Sequence, residues 1–126
     1  MQSILGSTRK ADITFHHTGR ICISARIAKT LGLAHHDVID IIKDEQRSRN
    51  EYYLVIKHRD AVGKHEGMVF RSNKNGRHYI ASSIKLSRYI MQQCGVSDRV
   101  RLCCGDPITI PLYGTAVPII IKHCLN

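Results

Sequence analysis

The stretch Gly19-Arg20-Ile21-Cys22-Ile23-Ser24-Ala25-Arg26-Ile27 is echoed later in the chain by Gly76-Arg77-His78-Tyr79-Ile80-Ala81-Ser82-Ser83-Ile84, with the same opening Gly-Arg and isoleucines at matching offsets. Each copy runs on into a helical pattern, a glycine and an alternating strand. In the first copy these are Leu31-Gly32-Leu33 and Asp37-Val38-Ile39-Asp40-Ile41; in the second, Cys94-Gly95-Val96 and Asp98-Arg99-Val100-Arg101-Leu102. A half of about 60 residues is only marginally able to bury a core alone. The duplication therefore predicts one domain, 1–126, built of two half-repeats at about 12–58 and 67–122. The polar segment 59–66, with Gly63 as its flexible point, reads as the linker between them.

Outward from the repeat, Asp12 to His16 alternates as a strand with Ile13 and Phe15 on one face, His17 to Gly19 forms a turn, and Arg20 to Ser24 returns with Ile21 and Ile23 inward. Ser24 is a fitting N-cap for a helix over Ala25–Leu31, in which Ile27 and Leu31 share a face and Gly32 stops the run. Asp37 to Lys43 and Glu51 to His58 read as strands flanking a charged loop, Asp44 to Asn50. In the second copy Gly67 to Ser72 and Arg77 to Ala81 flank Asn75-Gly76, a strong hairpin signal because both residues tolerate positive φ. Ser82 is expected to cap a helix over Ser83–Cys94, with Leu86, Ile90 and Cys94 on the apolar side and Gly95 ending it. Asp98 to Cys103, Ile108 to Ile110 and Ala116 to Lys122 complete the strands. Pro107 and Pro111 lack amide donors and make the middle one an edge strand. Each half thus reads strand, strand, helix, strand, strand, and two interleaved halves can cover each other's sheet edges in a β-barrel.

Charge is the second signal. Lys and Arg number 19 against 10 Asp and Glu, giving a net charge of +9 and a pI near 9.6, which sets a field for a polyanionic partner without naming it. The basic residues fall in corresponding places: Arg9, Lys10, Arg20, Arg26 and Lys29 in the first half, Arg71, Lys74, Arg77, Lys85 and Arg88 in the second. Few aromatics are interleaved with them, which weighs against a base-stacking platform for single strands.

Several chemistries are not indicated. The five cysteines show no Cys-x-x-Cys and no zinc spacing, and they read as reduced, mostly buried thiols. The doublets His16-His17 and His35-His36 diverge on a strand or turn and are expected at the surface rather than on a metal. No nucleophile elbow, P-loop or dinucleotide fingerprint is present, so no enzyme and no cofactor is expected. No apolar run reaches the roughly 20 residues of a membrane span, and Met1 to Lys10 lacks the apolar core of a secretion signal; a cytoplasmic location is the expectation.

The segment Thr18-Gly19-Arg20-Ile21-Cys22-Ile23-Ser24 through Thr30-Leu31-Gly32-Leu33-Ala34-His35-His36-Asp37-Val38-Ile39-Asp40-Ile41 resembles the AbrB and MazE family of swapped-hairpin barrels. In that family a Gly-Arg strand, an Ile-Pro step, a short helix ending in Leu-Gly-Leu or Leu-Gly-Ile, and an Asp-x-Val/Ile-x-Ile strand follow in this order. The likeness covers about Ile13 to Lys57. In the second half only Gly76-Arg77, Ile80, Ile84, Gly95-Val96 and Asp98 to Leu102 keep the pattern. The chain departs from the family where the helix-leading proline is Ser24 or Ala81, and where the turn glycine before Asp37 is His36.

Members usually contribute one unit per chain and dimerise, so the resemblance implies a fused dimer: a mainly β fold with short helices, tandem ββαββ repeats closing a swapped-hairpin barrel. It implies double-stranded DNA as partner and a role in transcription regulation. The Gly-Arg arginine falls on Arg20 and Arg77. The basic pair of the helix falls on Ala28-Lys29 and Lys85-Leu86, so that only Lys29 and Lys85 match. Arg26, Arg88 and Lys74 complete the candidate surface. The alternative is a protein-interaction module, such as an antitoxin-like protein, with homo-oligomers also possible. The acidic tail that family antitoxins use to wrap a toxin has no counterpart after the final strand.

Overall fold

Alternation in the first hairpin decides what faces the core: Ile13 and Phe15 on one strand and Ile21 and Ile23 on the next are all buried. The computed structural model describes residues 11–34, 36–45, 51–57, 67–71 and 79–121. Its elements are β1 (Ile13–His16), β2 (Arg20–Ile23), α1 (Ala25–Leu31), β3 (Ile39–Asp44), β4 (Glu51–Ile56), β5 (Val69–Arg71), β6 (Tyr79–Ser82), α2 (Ile84–Cys94), β7 (Arg99–Cys104), β8 (Ile108–Ile110) and β9 (Gly114–Ile120). The expected linker 59–66 and the expected turn at 73–76 lie outside the described residues.

All strand pairs are antiparallel, in the order β3-β4-β9-β7-β1-β2-β6-β5, with β8 attached to β9 alone. The sheet curls enough to bring its two ends together. Ile39 N donates to Gly67 O at 3.0 Å, Val69 N donates to Asp37 O at 2.7 Å, and Val38 bridges Met68. Pairs of strands from the first and second half alternate along this order: β1 lies on β7, β2 on β6 and β4 on β9. One cluster fills the concave side, including Ile13, Phe15, Ile21, Ile23, Leu54, Val100, Leu102 and Val117. Each fully buried side chain of this size contributes about 1.5–3 kcal/mol. A small second cluster, Tyr53, Val55 and Ala116, sits on the opposite face and is flanked by Ile42 and Ile110.

Both helices are capped alike. Ser24 accepts from Ile27 N and Ser83 from Leu86 N, while Gly32 and Gly95 end the helices in the left-handed conformation. The second cap corrects the expectation of Ser82. That residue stays in the sheet, opposite Arg20, with its carbonyl accepting from Gly67 N at 2.9 Å, so the helix starts one residue later. The correction also moves the repeat. Ser24 stands five residues after Gly19 but Ser83 seven after Gly76, so the echo slips by two residues between turn and helix. Ile27 and Ile84, which align in sequence, accordingly part company: Ile27 is 1% exposed and Ile84 51%.

Two further differences have local causes. The last strand begins at Gly114 rather than Ala116, because a turn over Ile110–Tyr113, closed by Tyr113 N donating to Ile110 O at 3.1 Å, brings Gly114 opposite Ile110. His36 takes φ 73°, a left-handed backbone that costs a non-glycine residue of order 1 kcal/mol or more.

Candidate nucleic acid interface

Because Phe15, Ile21 and Val100 face the core, the residues beside them on three adjacent strands face out. His16 on β1 is directly opposite Arg99 on β7, and Arg20 opens β2 across the hairpin turn. Directly opposed residues on neighbouring strands have Cβ atoms about 4.5–5.5 Å apart. The convex face therefore carries a cross-strand row, Arg99, His16, Arg20, continued by the exposed Ser82 of β6. Behind it, Arg101 pairs with Thr14, and Cys22 with both Thr14 and Ile80. Sequence reasoning left Arg99 and Arg101 out of the candidate surface, although their alternation with Val100 and Leu102 on a strand was the signal that places both outward.

The row has an electrostatic signature. The pKa of His16 is lowered from 6.5, first by partial burial and then by the positive charges of Arg20 and Arg99, with Asp98 opposing them. His17, one residue on, points elsewhere: its Nδ1 lies 3.2 Å from Asp98 Oδ1, and its amide donates to Asp98 O at 2.9 Å. The first histidine doublet is thus split between a strand face and a turn. His35 lies outside the described residues.

The tip of this hairpin is seated on the start of α2. Gly19 has φ 97°, and its carbonyl accepts from Ser83 N at 2.8 Å. Lys85 and Arg88 are exposed on the helix that begins here. Measured from their caps, the two helices carry basic residues at equal positions. Arg26 corresponds to Lys85 and Lys29 to Arg88, while Ile27, Ala28 and Leu31 correspond to Leu86, Ser87 and Ile90 on the side toward the core. This supersedes the sequence alignment, which set Ala28-Lys29 against Lys85-Leu86 and left each basic pair half complete. Since β2 and β6 run antiparallel, α2 starts at the Arg20 end of the pair and α1 follows the Ile23 end, about 10 Å along the strand.

Arg26 has a structural commitment. Its Nε donates to Asp12 Oδ1 at 3.2 Å and its Nη2 to Asp12 Oδ2 at 2.7 Å. The arginine side chain is 55% exposed and that of Asp12 only 6%. Asp12 Oδ2 also accepts from Cys104 N at 2.7 Å, so the carboxylate ties α1 to β7. Arg77 and Lys74 lie outside the described residues, as does the side chain of Arg71.

Among the described residues, three or more His, Cys, Asp or Glu side chains do not gather into a metal-binding group, and no helix is long and apolar enough to cross a membrane. Compared with models of known families, with curated proteins and with solved structures, the chain matches none.

Proposed function

We propose that this protein binds double-stranded DNA as a transcription regulator of the AbrB-like type, its tandem halves acting as the two units of a swapped-hairpin barrel. The observation that carries the reading is the convex row of Arg99, His16 and Arg20, with a cationic arginine at each end, set beside a helix start bearing Lys85 and Arg88, in a chain of net charge +9. Arginines on a strand face can reach phosphates with little rearrangement, and an arginine at a hairpin start can form a bidentate pair with guanine. The matched basic positions of α1 and α2 fit a pseudo-twofold partner such as duplex DNA, with Arg77 and Lys74 as the second-half counterparts of the first turn. Protein bound in this way would exclude polymerase or another regulator from the same site.

Fluorescence anisotropy with a mixed-sequence duplex at several salt concentrations tests the reading. Affinity should fall steeply with salt, and Arg20→Ala, Arg99→Ala and Arg77→Ala should each reduce the log–log slope by about 1. Failure to bind at low salt would remove DNA as the partner.

A second reading, an interaction module or antitoxin-like partner-binding protein, rests on a different feature. Pro107 to Ile121 contains no charged residue, and the β8–β9 turn presents Leu112 at 92% exposure and φ 75°. An apolar side chain held outward on a strained backbone suits a protein contact.

A further inference from the structure

We infer that the row Arg99, His16, Arg20 is a phosphate subsite that takes up a proton when it is occupied, so that His16 is a binding residue whose charge is made by the ligand. The inference rests on the proposed DNA-binding reading and adds a specific group and a linked equilibrium to it.

The geometry leads. Three nitrogen-bearing side chains stand side by side on three hydrogen-bonded strands, His16 in the middle, with its direct cross-strand partner Arg99 on one side and Arg20 across the hairpin on the other. The strands are fixed by core residues on their other face, Phe15, Ile21 and Val100, each fully buried, so the spacing of the row is held without the ligand. A tetrahedral phosphate oxyanion accepts several hydrogen bonds at once, which suits forked guanidinium donors flanking an imidazole.

By themselves the two arginines disfavour a third positive charge between them. The charges acting on His16 are Arg20 from β2, Arg99 from β7 with Asp98 just before it, and its neighbour His17; α2, which also packs against β1, buries Ile90 and Met91 in the core. A phosphate placed among the three groups reverses the sign of this local field, and the imidazole then gains a proton, so that both of its nitrogens become donors. Binding and protonation are therefore linked: the ligand raises the histidine's proton affinity, and acid raises the affinity for the ligand.

The experiment reads both sides of the linkage. Duplex affinity is measured at pH 8 and at pH 5.5 at fixed ionic strength, for the intact chain and for His16→Gln. A ligand-induced rise of one pKa unit corresponds to a tenfold change, so the intact chain should gain about five- to tenfold at pH 5.5 beyond whatever His16→Gln gains. Equal gains in the two proteins would overturn the subsite while leaving DNA binding in place. Should the chain bind no duplex at either pH, the DNA reading fails and the subsite is judged by NMR. In that arm the His16 ring resonance is titrated with and without pyrophosphate. Its pKa should rise with the anion, and the rise should be lost in the double variant Arg20→Ala, Arg99→Ala. An unmoved pKa would sink the inference regardless of DNA.

Discussion

Gly19 lies directly against Ile84, the first residue of α2: a Cβ on Gly19 would stand 2.8 Å from Ile84 Cγ1 and 3.0 Å from its backbone nitrogen. The turn of one half and the helix of the other are thus in register to within the size of a methyl group. Positive φ and close approach act together here, so Gly19→Ala should destabilise the fold by about 1–3 kcal/mol. A fall in the urea midpoint at unchanged m-value checks this, whereas an unchanged midpoint would mean that α2 can shift away from the turn.

The Asp12 carboxylate ties α1 to β7, and the contributions of Arg26 and of the Cys104 amide should be separable. Asp12→Ala leaves the Cys104 amide without its acceptor and should cost about 1–3 kcal/mol in addition to the lost ion pair. Arg26→Ala keeps that amide bond and, with the arginine half exposed, should cost less, about 1 kcal/mol. Thermal unfolding of both variants measures the difference, and equal losses would show that the amide bond adds nothing.

Ser87 on α2 is fully buried, and its Oγ has no hydrogen-bond partner among the described residues. Its counterpart from the cap of α1 is Ala28. Replacing the hydroxyl removes a desolvated group without changing the helix, so Ser87→Ala should be neutral or stabilising by up to about 1–2 kcal/mol. A lowered melting temperature would indicate that the hydroxyl is satisfied after all.

The lowered pKa of His16 has a consequence for stability with a definite sign. Between the folded value and 6.5 the unfolded chain binds more protons, so this residue's contribution is fully present above pH 6.5 and is lost as pH falls through the folded value. In urea titrations from pH 7.5 down to 5, His16→Gln should show a shallower loss of stability than the intact chain. Parallel curves would assign the acid sensitivity to other groups.

Much of the architecture can be read from residue patterns. Ile13/Phe15 and Ile21/Ile23 alternate cleanly, Ser24 and Gly32 bracket seven helical residues, and Pro107 and Pro111 mark β8 as an edge. The start of α2 was harder to locate because Ser82 and Ser83 are equally good caps locally. What decides between them is a long-range pairing, Ser82 against Arg20, that no local signal carries. The same two-residue slip hid the match of Lys29 with Arg88. Of the candidate surface, Arg20 was evident from Gly-Arg at a turn. Arg99 was passed over because its neighbourhood is made by strand β1, far away in sequence, and alternation alone indicates a face without indicating who shares it.

The interleaving of strands from the two halves bears on how the chain reaches this state. The amide of Cys104 is bonded to the side chain of Asp12, 92 positions earlier, and the hairpin at His17 to Asp98, 81 positions later. Such contacts demand that large loops close before any of them is rewarded, which favours slow folding. During synthesis β1 and β2 emerge long before β6 and β7, the strands that flank them in the native sheet. The nascent first half must therefore hold an unpaired hairpin edge open until β6 and β7 have been made, and that interval is when the chain is most exposed to mispairing with another copy of itself.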